Sequence, residues 1–404
     1  MYIISNKPKK NSCISYLLYT VLILFLNCIH PSDNNPSSGG YKLQSLYYFM
    51  YYGLYTSISS MNYSRTSHTS TLLSDGKVLI AGGSSSSSTD PGEVYNPSSG
   101  SFTITGNMIN TRSFHTSTRL NDGRVLVAGG TYLGVIISSN EIYSSTTNSF
   151  SSAGAMVGNR YYHTATLLDN GKVLVCGGFL GSSTLSTAEL YDPDTNTFSS
   201  TGSMSSSRQY HTATKLPSGK VLIIGGYNTA TSSSLQSTEI YDPSTGTFST
   251  GPSLASKRHL HTATSVANGN VYVIGGVSSS LSTTSSELYS YSTNQFQTLS
   301  SLNQSRYQHT TVLLQTGKLI VMGGNQSISS TSYRIIKSSE LYNDIFSSFI
   351  ESNSMSATRT NHSAILLNTG TVLVTGGELQ NGEVLASLSS VELYTGEPKI
   401  GISF

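Results

Sequence analysis

Residues 160–178 read Arg-Tyr-Tyr-His-Thr-Ala-Thr-Leu-Leu-Asp-Asn-Gly-Lys-Val-Leu-Val-Cys-Gly-Gly. From His163 onward, His-Thr-Ala-Thr-Leu-Leu has the β-branched, alternating character of a short strand. Asn170-Gly171 predicts a tight primed hairpin turn, because such a turn needs positive φ that Asn and Gly supply cheaply. Lys172–Cys176 is then the returning apolar strand. Gly177-Gly178 ends it, at a place where a missing side chain lets backbones approach.

The frame of this stretch recurs through the chain. Gly-Gly pairs begin at Gly82, Gly129, Gly177, Gly225, Gly275, Gly323 and Gly376, at steps of 47, 48, 48, 50, 48 and 53 residues. Each pair lies 14 residues after a histidine (His68, His115, His163, His211, His261, His309, His362). An arginine stands three residues before each histidine, and a glycine eight residues after it. Chance does not hold three offsets through seven copies. A variable loop then leads to Glu-(Val/Ile/Leu)-Tyr, from Glu93 to Glu392, and an aromatic follows in a fourth strand, as at Phe198.

These motifs resemble kelch repeats, which carry a double glycine after an apolar strand, then Glu and Tyr, then an aromatic. The resemblance covers residues 55–394 and implies an all-β, seven-bladed β-propeller with four strands per blade. It departs from the family in using Phe where kelch repeats usually place Trp; the chain has no Trp. A buried aromatic slab is kept either way. Phe198 and Phe349 precede Met204 and Met355 by six residues, and Tyr55 precedes Met61 by the same interval. Leu54-Tyr55-Thr56 is therefore expected to supply the outer strand of the last blade, with Ile400–Phe404 as the alternative. Closing the ring removes an exposed sheet edge. The run from Tyr47 to Tyr52 is expected to pack on that same blade.

Charged residues make up 10% of the 404-residue chain, the formal net charge is +2, and no Lys/Arg run follows residue 10. A nucleic-acid partner, which needs a basic stripe, is not expected. Lys7, Lys9 and Lys10 precede an apolar stretch from Ile14 to Leu26, the pattern of a secretory signal and too short for a comfortable membrane span. Leu24-Phe25-Leu26-Asn27-Cys28 resembles a bacterial lipoprotein box, although small residues usually precede the cysteine. The resemblance implies a signal peptide over 1–27, a lipidated Cys28 beginning a flexible tether over 28–45, and a propeller over 46–404. The protein would then be exported and held to a membrane by lipid, or secreted if Cys28 is not acylated. With the leader removed, Cys176 is the only cysteine inside the domain, so no disulfide framework is expected. Cys176 itself reads as a small buried thiol.

Features present in all seven copies are read as structural. Seven histidines on equivalent strands form a ring too wide for the ~2 Å bonds of a metal site, and no metal or cofactor is expected. The repeated Arg and Glu are expected to pair within or between blades. The informative positions are the two free residues between each Arg and His. In kelch propellers the loop entering the innermost strand and the loop after the double glycine open on one face, around the channel mouth. That resemblance makes Phe114, Tyr161, Tyr162, Gln209, Tyr210, His259 and Tyr307 the candidate binding residues, their rings suited to sugars or a partner's loop. The loops after the double glycines also differ in length, from 10 to 16 residues between second glycine and Glu. The two longest, around Tyr333–Lys337 and Glu378–Glu383, bring local charge, while the earlier ones read as solvated linkers.

The expected function is a non-enzymatic module on the bacterial envelope, binding a protein or polysaccharide. One alternative is an envelope scaffold contacting sister proteins. A galactose-oxidase-like enzyme is the other, since the central domain of that oxidase is kelch-like. Its copper centre needs tyrosines, histidines and a cysteine cross-linked to tyrosine. Here Cys176 sits at a strand core position, and His259 is the one propeller histidine outside the repeat frame.

Overall fold

The computed structural model describes residues 54–83, 91–343, 347–381 and 384–396. The expected leader over 1–27 with Cys13, the expected tether over 28–45 with Cys28, the Tyr47–Tyr52 run, residues 84–90, 382–383 and Ile400–Phe404 lie outside them. The described residues form seven four-stranded antiparallel sheets. Blade 3 shows the plan: innermost Thr164–Leu167, then Val173–Cys176, Ala188–Asp192 and outermost Thr197–Ser200. Among the described residues no helix is long and apolar enough to cross a membrane.

The second strand of each blade is buried on both faces and joins neighbouring cores. Val173 and Val175 pack with Leu126, Ala128 and Ile142 of blade 2, whereas Leu174 and Cys176 pack with Val221, Ile223 and Tyr241 of blade 4. Such two-sided burial explains a continuous apolar run in place of alternation. At the rim of each blade the tyrosine of Glu-x-Tyr meets the fourth-strand aromatic. Centroids are 4.8–5.4 Å apart in the six pairs from Tyr95–Phe102 to Tyr342–Phe349.

The seventh pair closes the ring. Leu54–Ser57 pairs antiparallel with Val391–Thr395, with Tyr55 opposite Tyr394 and their rings 4.9 Å apart. The Tyr55 hydroxyl also reaches Ser339 Oγ of blade 6 at 2.6 Å. Blade 7 thus takes three strands from the end of the described chain and one from its beginning. Met61, Val78 and Ile80 of blade 1 then share a core with Leu367, Leu373 and Val391.

Two local features differ from the sequence expectation. The first hairpin of each blade is not a primed two-residue turn. In blade 1, Gly76 N donates to Leu73 O (3.1 Å) and Leu73 N to Lys77 O (2.8 Å), and only the glycine is left-handed (φ 82°). That is a three-residue loop ending in a left-handed glycine. The Asx residue serves through its side chain: Asp75 Oδ1 and Asn170 Oδ1 each accept the backbone N–H two residues on, at 3.1 Å. Secondly, the segments after the double glycines of blades 2–7 are two-stranded hairpins, such as Phe179–Leu180 with Ser183–Thr184, rather than solvated linkers. Neighbouring hairpins clasp: Thr184 N and Thr229 N donate to each other's hydroxyls at 3.0 and 3.3 Å, and Ser282 and Ser327 do the same at 2.9 Å.

The double glycine is where blades touch. A Cβ on Gly323 would lie 2.6 Å from Arg359 O and 3.0 Å from His362 Cε1 of the next blade, and one on Gly324 2.6 Å from Tyr307 O of its own. Gly317, at the hairpin turn of the same blade, has φ +83° and no atom within 4 Å of such a Cβ. Gly317→Ala should therefore cost only the ~1–2 kcal/mol of a left-handed alanine. Gly323→Ala adds a backbone clash of a further ~1–3 kcal/mol. Equal urea midpoints for the two variants would contradict this seam. At the ring closure, Tyr55→Ala should lose on the order of 3 kcal/mol. The exposed Leu54→Ala should stay within about 0.5 kcal/mol. Chemical denaturation of the two variants decides whether the N-terminal strand holds the ring.

Candidate binding face at the channel mouth

The repeated Arg and Glu pair within one repeat, and both are buried. Nη2 to Oε1 distances run from 2.6 to 3.2 Å in the seven pairs from Arg65–Glu93 to Arg359–Glu392. Arg160 shows how the charge is accommodated. It donates to Gly177 O (2.9 Å), Thr187 O (3.0 Å) and Gly158 O (3.3 Å) as well as to Glu189 (2.6 Å). Glu189 in turn accepts the backbone N–H groups of Val157 and Gly158 at 2.7 and 3.0 Å. A buried pair this fully hydrogen-bonded offsets its desolvation. The carbonyl of the same arginine serves the neighbouring blade: Gly130 N donates to Arg160 O at 3.0 Å, and all seven second glycines make the equivalent bond.

The framed histidines also tie blades together. His163 Nε2 meets Thr116 Oγ1 of blade 2 at 3.0 Å, and His211 Nε2 meets Thr164 Oγ1 of blade 3 at 2.9 Å. At the closure His68 uses Thr375 instead, at 2.8 Å. Every Nδ1 is buried without a partner. Burial and the nearby arginine hold His68, His163, His211 and His362 down to about 3, and His115, His261 and His309 well below the usual value. Burial raises the Cys176 thiol, which touches Thr164 Oγ1 at 3.3 Å and His211 Nε2 at 3.8 Å.

The two free residues between Arg and His take different places. The first bridges to the residue after the double glycine: Ser113 to Thr131, Tyr161 to Phe179, Gln209 to Tyr227, His259 to Val277, Tyr307 to Asn325 and Thr360 to Glu378. The entering loop and the hairpin of each of these blades therefore share one face. The second residue is left-handed in all seven blades, with φ between 51° and 56° at Ser67, Phe114, Tyr162, Tyr210, Leu260, Gln308 and Asn361. Backbone N–H groups link these residues from blade to blade, as Tyr162 N to Phe114 O and Tyr210 N to Tyr162 O at 3.3 Å. The ring lines an axial cavity of about 210 Å³ that is open to solvent, lined also by His68 and His362.

The ring is divided. Blades 2–5 contribute Phe114, Tyr162, Tyr210 and Leu260, and blades 6, 7 and 1 contribute Gln308, Asn361 and Ser67. Aromatic contacts run without a break along the first arc. Phe114–Tyr162 and Tyr161–Tyr162 are 4.5 Å apart, Tyr162–Tyr210 4.2 Å and Tyr210–His259 6.0 Å. Phe179 stands edge-on to Tyr161 at 5.5 Å, and Tyr227 lies 5.1 Å from His259. Burial lowers His259 to about 4, and its Nδ1 meets Ser234 Oγ at 2.8 Å. On the opposite arc Glu378 Oε1 accepts from Thr66 Oγ1 (2.8 Å) and Asn361 Nδ2 (3.2 Å), and Gln308 Oε1 accepts from Asn325 Nδ2 (2.8 Å). Tyr307 stands apart from the aromatic arc and faces Tyr333 edge-on at 6.4 Å.

Outside the ring stand the hairpins, whose turns are mainly Gly, Ser and Thr, with exposed apolar residues in or beside the turns of blades 2, 3, 5, 6 and 7. Leu133, Val135, Leu180, Leu281, Ile328, Tyr333, Val384 and Leu385 are exposed there, Leu133 by 85%. Apart from Tyr333, sequence reading did not single out these residues. An aliphatic at a hairpin tip is indistinguishable in sequence from one that packs inward, though a bulky residue just after the double glycine, as at Phe179 and Tyr227, is a usable signal. Charge is segregated as well. The mouth-face segments of blades 2–4 (109–115, 130–139, 157–163, 178–187, 205–211 and 226–237) hold Arg112, Arg160 and Arg208, all buried, and no other charged side chain. The turns at the opposite end carry exposed pairs such as Lys77–Asp75 and Arg124–Asp122.

Fold and repeat geometry define a seven-bladed kelch-type propeller. The family model Attractin/LZTR1 beta-propeller matches residues 142–389, and the chain belongs to that family. Among solved structures, one described as "Novel fungal alcohol oxidase with catalytic diversity among the AA5 family, in complex with copper" is similar with a TM-score of 0.67. It is 17% identical, over 85% of this chain and 76% of that one, a likeness of fold. No curated protein matches the sequence. The copper in that title belongs to that protein. Among the described residues here, no group of three His, Cys, Asp or Glu side chains is placed to hold a metal ion.

The buried neutral histidines make stability depend on pH. Their native pKa values lie below the unfolded value of about 6.5, so as pH falls below about 6.5 the unfolded chain binds the extra protons. Stability is complete above pH 6.5 and falls as pH drops, by about 1.4 kcal/mol per pH unit for each histidine. Urea unfolding between pH 7 and 4.5 should show a steep loss, with uptake of several protons. A flat profile in that window would mean the imidazoles titrate freely in the native ring.

Proposed function

We propose that the chain is a non-catalytic recognition module that binds a macromolecular ligand, protein or glycan, through the channel-mouth face. One observation carries this reading: a crown of hairpins, clasped between blades 3 and 4 and between blades 5 and 6, presents exposed aliphatic and half-buried aromatic side chains on a face whose segments in blades 2–4 carry no exposed charge. Exposed apolar groups gathered on one surface mark interaction sites. Variable loops on a fixed scaffold are where recognition is built. A kelch-type propeller in the Attractin/LZTR1 family is consistent with a binding role.

In this reading the lysine-led leader exports the protein and Cys28 carries a lipid anchor, or the protein is secreted.

The test is a capture screen of the purified full-length chain against glycans and extracellular matrix proteins. Leu133→Asp/Leu180→Asp and Tyr161→Ala should weaken capture at least about tenfold, since charge or a missing ring at a desolvated contact costs 1 kcal/mol or more. Lys77→Ala, on the opposite end, should change nothing. Circular dichroism checks folding. Capture that survives the mouth-face variants but not Lys77→Ala would place recognition elsewhere.

A further inference from the structure

The axial cavity is more selective than the crown around it, and its lining indicates what enters. Its seven ring residues are uncharged, and they divide by blade order into an apolar arc of Phe114, Tyr162, Tyr210 and Leu260 and a polar arc of Gln308, Asn361 and Ser67. Ser67 Oγ is buried without a hydrogen-bond partner. Three further groups with unpartnered atoms flank the mouth: Gln209 Oε1, Asn325 Oδ1 and Thr360 Oγ1, in residues exposed by 7%, 4% and 2%. A buried polar atom left unpaired costs free energy, and a ligand recovers that cost where a side-chain rotation turns the atom to the cavity surface.

The volume of about 210 Å³ is below the ~300–1,000 Å³ of pockets that enclose a drug-sized molecule. It admits one six-membered ring or one side-chain tip, with the rest of the ligand lying over the crown. Aromatic planes on one side want C–H surface, and amides and hydroxyls on the other want a row of hydroxyls that both donate and accept. An anionic ligand would be desolvated here without a cation to meet it, because the arginines beneath are already committed to glutamates.

We infer that the axial cavity is a subsite for one neutral pyranose ring, its C–H face on Phe114, Tyr162 and Tyr210 and its hydroxyl edge toward Gln308, Asn361 and Ser67. This rests on the mouth face being the recognition surface and adds the ligand class. An anionic sugar is disfavoured, because the lining offers no free cation and the nearest carboxylate, Glu378, stands behind Asn361 on the polar arc. An amino-acid side chain lacks the hydroxyl row that the polar arc would pair.

The experiment is saturation-transfer NMR and calorimetry on the full-length chain. The probes are methyl glucoside, galactoside and mannoside, methyl glucuronoside, N-acetyl-leucinamide and N-acetyl-tyrosinamide. At least one neutral hexoside should bind, and the uronate at least about tenfold more weakly. Tyr162→Asn removes the aromatic plane with a residue that tolerates left-handed backbone and should abolish hexoside binding. Gln308→Asn, which withdraws the amide by one methylene, should weaken it about fivefold or more. Hexoside binding unchanged in both folded variants overturns the subsite, as does saturation by the amino-acid amides alone. Absence of binding by every probe also overturns it. The capture screen with crown variants is read separately, so retained capture with no hexoside binding removes the sugar subsite and leaves the recognition module standing.

Discussion

Each arginine of the repeat is a joint with two ends. Its guanidinium is buried against the glutamate of its own blade and the carbonyls at the base of its own hairpin, as Arg160 is against Glu189, Gly177 and Thr187. Its carbonyl accepts the second-glycine N–H of the preceding blade. Seven such joints fix the entering loops at one height around the axis. Everything at the channel mouth hangs from them, because the residues of interest lie one and two positions beyond the arginine. The ion pairs are better understood as placement devices than as a source of net stability, since buried pairs often do no better than apolar substitutes.

The double glycine and the histidine complete the seam. The first glycine must lack a side chain because the next blade's arginine carbonyl and histidine ring occupy the place of its Cβ, as Arg359 and His362 do at Gly323. The imidazole stays neutral in that environment and reaches a threonine hydroxyl of the preceding blade. The same close contact that locks the ring makes it sensitive to acid, since a proton on a buried Nδ1 has no acceptor.

With this frame invariant, asymmetry is free to collect at the mouth. Equivalent positions hold Phe114, Tyr162 and Tyr210 on one side and Gln308, Asn361 and Ser67 on the other, without change in backbone handedness. Side chains alter there while the φ of about +50° persists. That is the behaviour expected of a scaffold that stores a little strain at each copy and uses it to aim a side chain inward.

Much of the architecture was legible in sequence because repetition makes structural demands visible. Three fixed offsets announced seven blades, the double glycine announced close approach, and the interval from Tyr55 to Met61 announced which strand closes the ring. The seven candidate binding residues were legible as variable positions in a constant frame. The primed turn was misread because Asp75 and Asn170 act through side-chain oxygen atoms, and a pair of residue types does not reveal which use is made of them. The sequence also could not show that Tyr162 turns to the axis while its neighbour Tyr161 bridges to Phe179, nor that Leu133 and Leu180 point into solvent. Those outcomes depend on the left-handed residue that rotates successive side chains apart, and on hairpins clasped across blades 45 residues distant. Local pattern determines which strands form and pair. Which side of the ring a loop residue faces is decided only when all seven blades have closed.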